Sequence, residues 1–177
     1  MDEKQKFDIT PKTKVGELLD RFPHLEEILI DIAPAFRKLR NPILRKTIAK
    51  VTSLSQAAKV GNVGLGEMIN RLRSEAGMKK SGDFKSDSWN ESAGRPEWVN
   101  DRDIVDKIDA RAMLEEGEQP LGPVMSALRR LENDQMLELI TPFMPAPIID
   151  KAREKGHKTW SDKRKADEIH TYFGNSE

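Results

Sequence analysis

The chain has 177 residues, 37% hydrophobic and 34% charged, apolar enough to fold but lean for one large core. Its 30 Lys and Arg balance its 30 Asp and Glu, so no global basic field gathers nucleic acid or anionic membrane. It has no cysteine, which excludes disulfides, thiolate nucleophiles, cysteine-held iron–sulfur clusters and cysteine zinc sites.

The charge balance hides an asymmetry. Residues 1–77 carry fourteen basic and ten acidic groups, and residues 78–177 carry sixteen and twenty, so the halves stand at +4 and −4. They can attract each other, or a second copy as a weak homodimer, in a salt-dependent way. The opening Met1-Asp2-Glu3-Lys4-Gln5-Lys6 lacks the apolar run of a signal peptide, and no run of about eighteen apolar residues follows. Neither secretion nor a membrane span is expected, and the cytoplasm is the expected location.

Phe7-Asp8-Ile9-Thr10-Pro11 reads as an extended lead-in, with Thr13 as N-cap of a short helix carrying Val15, Leu18 and Leu19. Pro23 suits the first turn of a second helix, whose stripe is Leu25, Ile28, Leu29 and Ile32. Pro34 ends or kinks it, and Phe36 and Leu39 continue the apolar face. Asn41-Pro42 reads as N-cap and N1 of a third helix with stripe Ile43, Leu44, Ile48 and Val51. Ser53-Leu54-Ser55-Gln56 is a capping box before a short helix that stops at Gly61-Asn62. A last helix runs from about Leu65 to Ala76, with Leu65, Met68, Ile69 and Leu72 inward and Gly77 as its stop. Residues 1–77 are thus expected to form a small orthogonal bundle of about five short helices.

Residues 78–102 are expected to be a polar linker. Trp89 and Trp98 stand out in it, because tryptophan in a linker usually docks on a neighbouring surface, and Arg95-Pro96-Glu97-Trp98 is placed to anchor the next domain. Residues 103–177 alternate in type. Ile104 to Ile108 reads as a strand ending at Asp109-Ala110-Arg111, Gly117 to Gly122 as a loop, and Pro123 as N1 of a helix with Val124, Leu128 and Leu131. Met136 to Thr141 is a second strand, Pro147 to Lys155 a helix capped by Gly156, His157 to Trp160 a third strand and Glu168 to Phe173 a fourth. The β-α-β-α-β-β order predicts a two-layer sandwich with two helices on one sheet face.

Chemistry-bearing patterns are sparse. His24, His157 and His170 are far apart in sequence; His157 and His170 fall on strands that can be neighbours, but two ordinary strand histidines is the preferred reading over a shared metal site. There is no Gly-x-Ser-x-Gly, and Ser92 and Ser126 have no visible base. Asp106 and Asp109 would need a pocket to act as acid and base. Pro120-Leu121-Gly122-Pro123 leads into a helix N-terminus that favours an anion, and Arg111, with Asp109, could reach the same place. Residues 32–66 hold Arg37, Lys38, Arg40, Arg45, Lys46, Lys50 and Lys59 and no acid. That basic surface could meet nucleic acid, but a face that docks on an acidic domain or a partner is preferred.

Two resemblances follow from particular residues. Ile9-Thr10-Pro11, Val15-Gly16-Glu17-Leu18-Leu19, Phe22-Pro23 and Leu54-Ser55-Gln56-Ala57-Ala58 resemble a helical domain of unknown function. It is similar to the N-terminal domain of ScdA-type di-iron proteins, implicated in iron–sulfur cluster repair under nitrosative stress. Phe36 to Thr47 looks like a subgroup found beside hemerythrin-like and PAS-like domains. Many relatives carry cysteines after the second helix, where Ala33-Pro34-Ala35-Phe36 stands here. From Asp109-Ala110-Arg111 through Phe173 the chain resembles a SirA/TusA-like domain of unknown function often found with hemerythrins. Sulfur carriers of that type have Cys-Pro-x-Pro, and the cysteine position falls on Pro120, so persulfide transfer by that route is excluded.

These readings lead to one expectation: a non-catalytic binding or accessory module in redox, nitrosative-stress or iron–sulfur homeostasis. Its expected partner is a protein, such as a hemerythrin-like or other redox protein, with no membrane, no cofactor, no metal and no catalytic residue assigned. The interaction surface is placed at Arg37, Lys38, Arg45 and Lys46. A rival reading puts a small molecule or anion at Asp109, Arg111, Pro120 and Gly122, and a second rival puts nucleic acid on the basic helical face.

Overall fold

A computed structural model describes residues 7–82 and 94–175. The chain divides into two compact units, Met1–Ser88 and Trp89–Glu177. Trp89, Ser92 and the middle of the expected linker lie outside the described residues. Its flanks are tied down: Ser81 N–H donates to Asn70 Oδ1 at 2.8 Å in the first unit, and Val99 is buried in the second.

The first unit is helical. Its elements are α1 (Val15–Arg21), α2 (Leu25–Ile32), a 3-10 segment (Pro34–Arg40), α3 (Pro42–Leu44) running into a π turn (Arg45–Ala49), α4 (Leu54–Gly61) and α5 (Leu65–Glu75). Ile9, Leu18, Leu19, Leu25, Leu29, Leu54, Met68, Ile69 and Leu72 form its core, following the predicted stripes of the first, second and last helices, whereas the stripe read for the third helix does not enter it and Ile43 is 44% exposed. The capping box forms as expected, with Gln56 N–H donating to Ser53 Oγ at 3.2 Å and Ser53 N–H to Gln56 Oε1 at 3.0 Å. Asn41 Oδ1 accepts from Ile43 N–H at 2.9 Å, so it caps α3. Thr13 does not cap α1. Its hydroxyl accepts from Thr10 N–H and donates to Asp8 O, closing the lead-in turn, while Val15 N–H donates to Thr52 O at 2.9 Å. Pro23 precedes α2 instead of entering it. The expected third helix is cut to Pro42–Leu44 before the π turn. Gly16 permits a close crossing there, since a Cβ on it would stand 3.2 Å from Lys50 N.

The second unit is a four-stranded mixed sheet with helices. After a 3-10 turn (Asp101–Asp103) come β1 (Ile104–Asp109), α6 (Arg111–Glu115), α7 (Leu121–Leu128), β2 (Met136–Thr141), α8 (Ala146–Glu154), β3 (His157–Lys165) and β4 (Glu168–Asn175). Strand order is β1-β2-β4-β3, with β1 parallel to β2 and the other pairs antiparallel. The expected strands are all present, β3 and β4 longer than read. The expected loop after β1 contains a helix, α6, ended by Gly117 at φ 84°. The next helix starts at Leu121, so Pro123 lies inside its first turn. Gly156, at φ 88°, ends α8 as predicted.

Register divides the sheet residues between two faces. Leu137, Leu139 and Thr141 pair with Phe173, Thr171 and Ile169 on one face, and Arg153 of α8 donates to Thr159 at 2.7 Å on that same side. The opposite face is built in rows: Ile104, Met136, Gly174 and Lys158; then Lys107, Glu138, Tyr172 and Trp160; then Asp109, Ile140, His170 and Asp162. That second face carries the polar chemistry of the unit. Among the described residues no helix is long and apolar enough to cross a membrane.

Candidate functional site

β2 reads Met136-Leu137-Glu138-Leu139-Ile140-Thr141, an apolar strand interrupted by one acid, and all six residues are buried. A buried carboxylate needs partners. Glu138 has three. His170 Nδ1 lies 2.5 Å from its Oε1, Tyr172 OH donates to the same oxygen at 3.3 Å, and Lys107 Nζ stands 3.1 Å from Oε2. All four residues fall on one face because β1, β2 and β4 pair in register there.

From Glu138 the network extends both ways. His170 Nε2 lies 3.1 Å from Glu168 Oε1. Glu168 Oε2 accepts from Arg111 Nη1 at 3.2 Å, and Arg111 Nη2 donates to Asp109 Oδ2 at 2.6 Å. On the other side Arg164 Nη2 donates to Tyr172 OH at 2.8 Å, and Trp160 stacks on the Tyr172 ring with centroids 5.6 Å apart.

The charges tune one another. Burial raises the Glu138 carboxyl, but hydrogen bonds from His170 and Lys107 outweigh it and hold the group below its ordinary value. The hydrogen bond with His170 lowers Glu168, helped by Lys165 and Arg111. Arg111 lowers Asp109 by hydrogen bonding, and Asp109 in turn raises Arg111. Burial raises the Tyr172 phenol, reinforced by the Glu138 charge.

Chemically, this arrangement is closed. A general base must offer a lone pair to a substrate proton, and both His170 nitrogens already face carboxylate oxygens. The Tyr172 hydroxyl is engaged on both sides, by Arg164 and by Glu138. His170 bonds Glu138 and Glu168 directly, and no group of three His, Asp or Glu among the described residues is arranged to hold a metal. The shared site conceived for His157 and His170 does not form: His157 pairs with Asn175 at one end of the hairpin, whereas His170 pairs with Asp162 near the other.

The predicted site residues are partly brought together. Asp109 and Arg111 meet, but the Arg111 guanidinium is directed to Asp109 and Glu168. Pro120 is buried as the residue before α7, and Gly122 is exposed within its first turn. On the helical unit Arg45 bonds Glu26 at 2.6 Å and is half-buried, so it is consumed in the fold. Arg40 similarly bonds Glu27 at 3.1 Å. Arg37 and Lys46 are exposed; Lys38 is half-buried and has interactions of its own.

At the Met136 end of the sheet lies a groove of about 450 Å³, lined in part by Trp98, Met136 and Gly174. Trp98 seats on Gly174: a Cβ there would stand 3.3 Å from the indole carbons. Arg95 holds the approach to that tryptophan by donating to Val99 O at 2.9 Å and to Asp101 at 2.6 Å. Sequence reading flagged Trp98 but not the groove, whose lining comes from segments about 75 residues apart.

Residues 9–69 match a family described as a domain of unknown function (DUF1858). The DUF1858 segment covers α1 through the first half of α5 and includes the motifs that carried the first resemblance. No curated protein and no solved structure matches the chain.

Proposed function

We propose that the protein is a non-catalytic binding or accessory module serving redox, nitrosative-stress or iron–sulfur homeostasis. The observation that supports this most is the contrast across one sheet face. Its titratable groups are spent on one another, while Glu97, Asp103 and Asp134 at the groove by the Met136 end hold no ion pair among the described residues. The setting draws on the resemblance of the N-terminal motifs to ScdA-type domains. We read the second unit as SirA/TusA-like, and its strand order β1-β2-β4-β3, with helices between β1 and β2 and between β2 and β3, supports that reading. The expected partner is a hemerythrin-like or other redox protein in the cytoplasm.

Native mass spectrometry of the full-length protein, gently purified from its own cells, tests this. A stoichiometric complex with a redox protein is expected. A bare chain that turns over a small substrate, and loses that turnover in His170→Gln, would overturn the proposal.

A further inference from the structure

The groove at the Met136 end combines an apolar surface with carboxylates that hold no ion pair among the described residues. Trp98, Met136 and Gly174 supply the surface, and its volume of about 450 Å³ falls in the range of small-molecule sites. Among the described residues, Glu97, Asp103 and Asp134 line it with one cation, Lys158. None of these three carboxylates forms an ion pair among the described residues, whereas Asp109, Glu138, Asp162 and Glu168 on the sheet face each hold a cation. An anion would meet net repulsion from these described lining residues. A wholly apolar ligand would strip water from carboxylates and return nothing for it.

We infer that this groove binds an organic cation, an ammonium or guanidinium group on an apolar stem. The carboxylates meet the charge, and the Trp98 ring covers the stem or takes the cation on its face. This rests on the reading of the chain as a binding module and names the ligand chemistry of one site. Two sources share that chemistry: a free amine of the agmatine type, and an arginine or lysine side chain of a partner protein.

The test is a titration of the full-length, isotope-labelled protein with agmatine, with a blocked Gly-Arg-Gly peptide and with neutral pentanol, followed by amide and indole resonances. Saturable shifts at the Trp98 indole, Gly174 and Gln135 are expected with the cations. They should weaken about fivefold in Asp103→Asn/Asp134→Asn and fall with added salt. Glu154→Gln, which alters a carboxylate on α8, should bind as the parent does. Tighter binding of agmatine assigns the free amine, and tighter binding of the peptide assigns a partner's side chain. No saturable shift with either cation, or equal shifts with pentanol, overturns the inference. If a protein complex nevertheless appears in the native mass spectrum, the module reading stands and only the cation assignment falls.

Discussion

His170 is held between two carboxylates, with Glu138 at 2.5 Å and Glu168 at 3.1 Å from its ring nitrogens. Replacing it by leucine keeps the bulk and removes both contacts. Glu138 would retain Lys107 and Tyr172 but lose its shortest bond in a buried position. His170→Leu should therefore cost about 1–3 kcal/mol of stability, read as a shift in urea midpoint. An unchanged midpoint would show that the remaining partners satisfy Glu138 alone. Gly174 is constrained differently, by contact with the Trp98 ring. Gly174→Val should force the indole off the sheet, destabilise the unit by about 1–3 kcal/mol and change the fluorescence of Trp98. The His170 contact left a trace in the sequence through Glu138. A lone acid in an apolar strand signals a buried partner, but which residue answers Glu138 depends on the pairing of β2 with β4, thirty residues on.

Local rules account for most elements of the helical unit. Ser53→Ala should remove one half of the capping box and lower stability by about 1 kcal/mol, with Ser53→Asp largely retaining it, as thermal unfolding can show. Gln56 and Asn41 were readable for the same reason: their bonds close within three residues. Thr13 was misread because the amide it was expected to serve finds Thr52 O, a long-range partner no local pattern reveals. The short helix α6 had a usable signal. Asp109 Oδ1 accepts from Arg111 N–H at 3.2 Å, helix-forming Ala112 to Glu116 follow, and Gly117 supplies the stop. The truncation of α3 by a π turn had none; it sits where the chain crosses Gly16 at close range.

At the scale of the molecule, several carboxylates of the second unit share one direction of shift. Glu138, Glu168, Asp109 and Asp101 all lie below their ordinary values of 4.5 and 3.8. Groups depressed in the folded state stabilise it fully above those ordinary values and lose that contribution as pH falls through the lower folded ones. The second unit should therefore weaken progressively below about pH 4.5, with aromatic circular dichroism reporting the loss around Trp160 and Tyr172. A urea midpoint that holds level down to about pH 3 would contradict the ion-pair account. Strand order, β1-β2-β4-β3, decides which charges meet, and that order is a property of the whole sheet.

What depends on neighbours along the chain was legible in the sequence: two kinds of unit, most helices and all four strands, the apolar stripes of the first, second and last helices of the helical unit, the capping box, the absence of cysteine chemistry. Periodicity, capping and backbone permissiveness act within a few residues, so they are legible there. The closed chain was needed to turn Arg111 to Asp109 and Glu168, to spend Arg45 on Glu26, to set His157 and His170 apart, and to border a groove with Trp98 and Gly174. Each of these is a contact between distant segments, set by strand register and helix crossing, and a charge free to choose among many partners is assigned one only when the chain has closed around it.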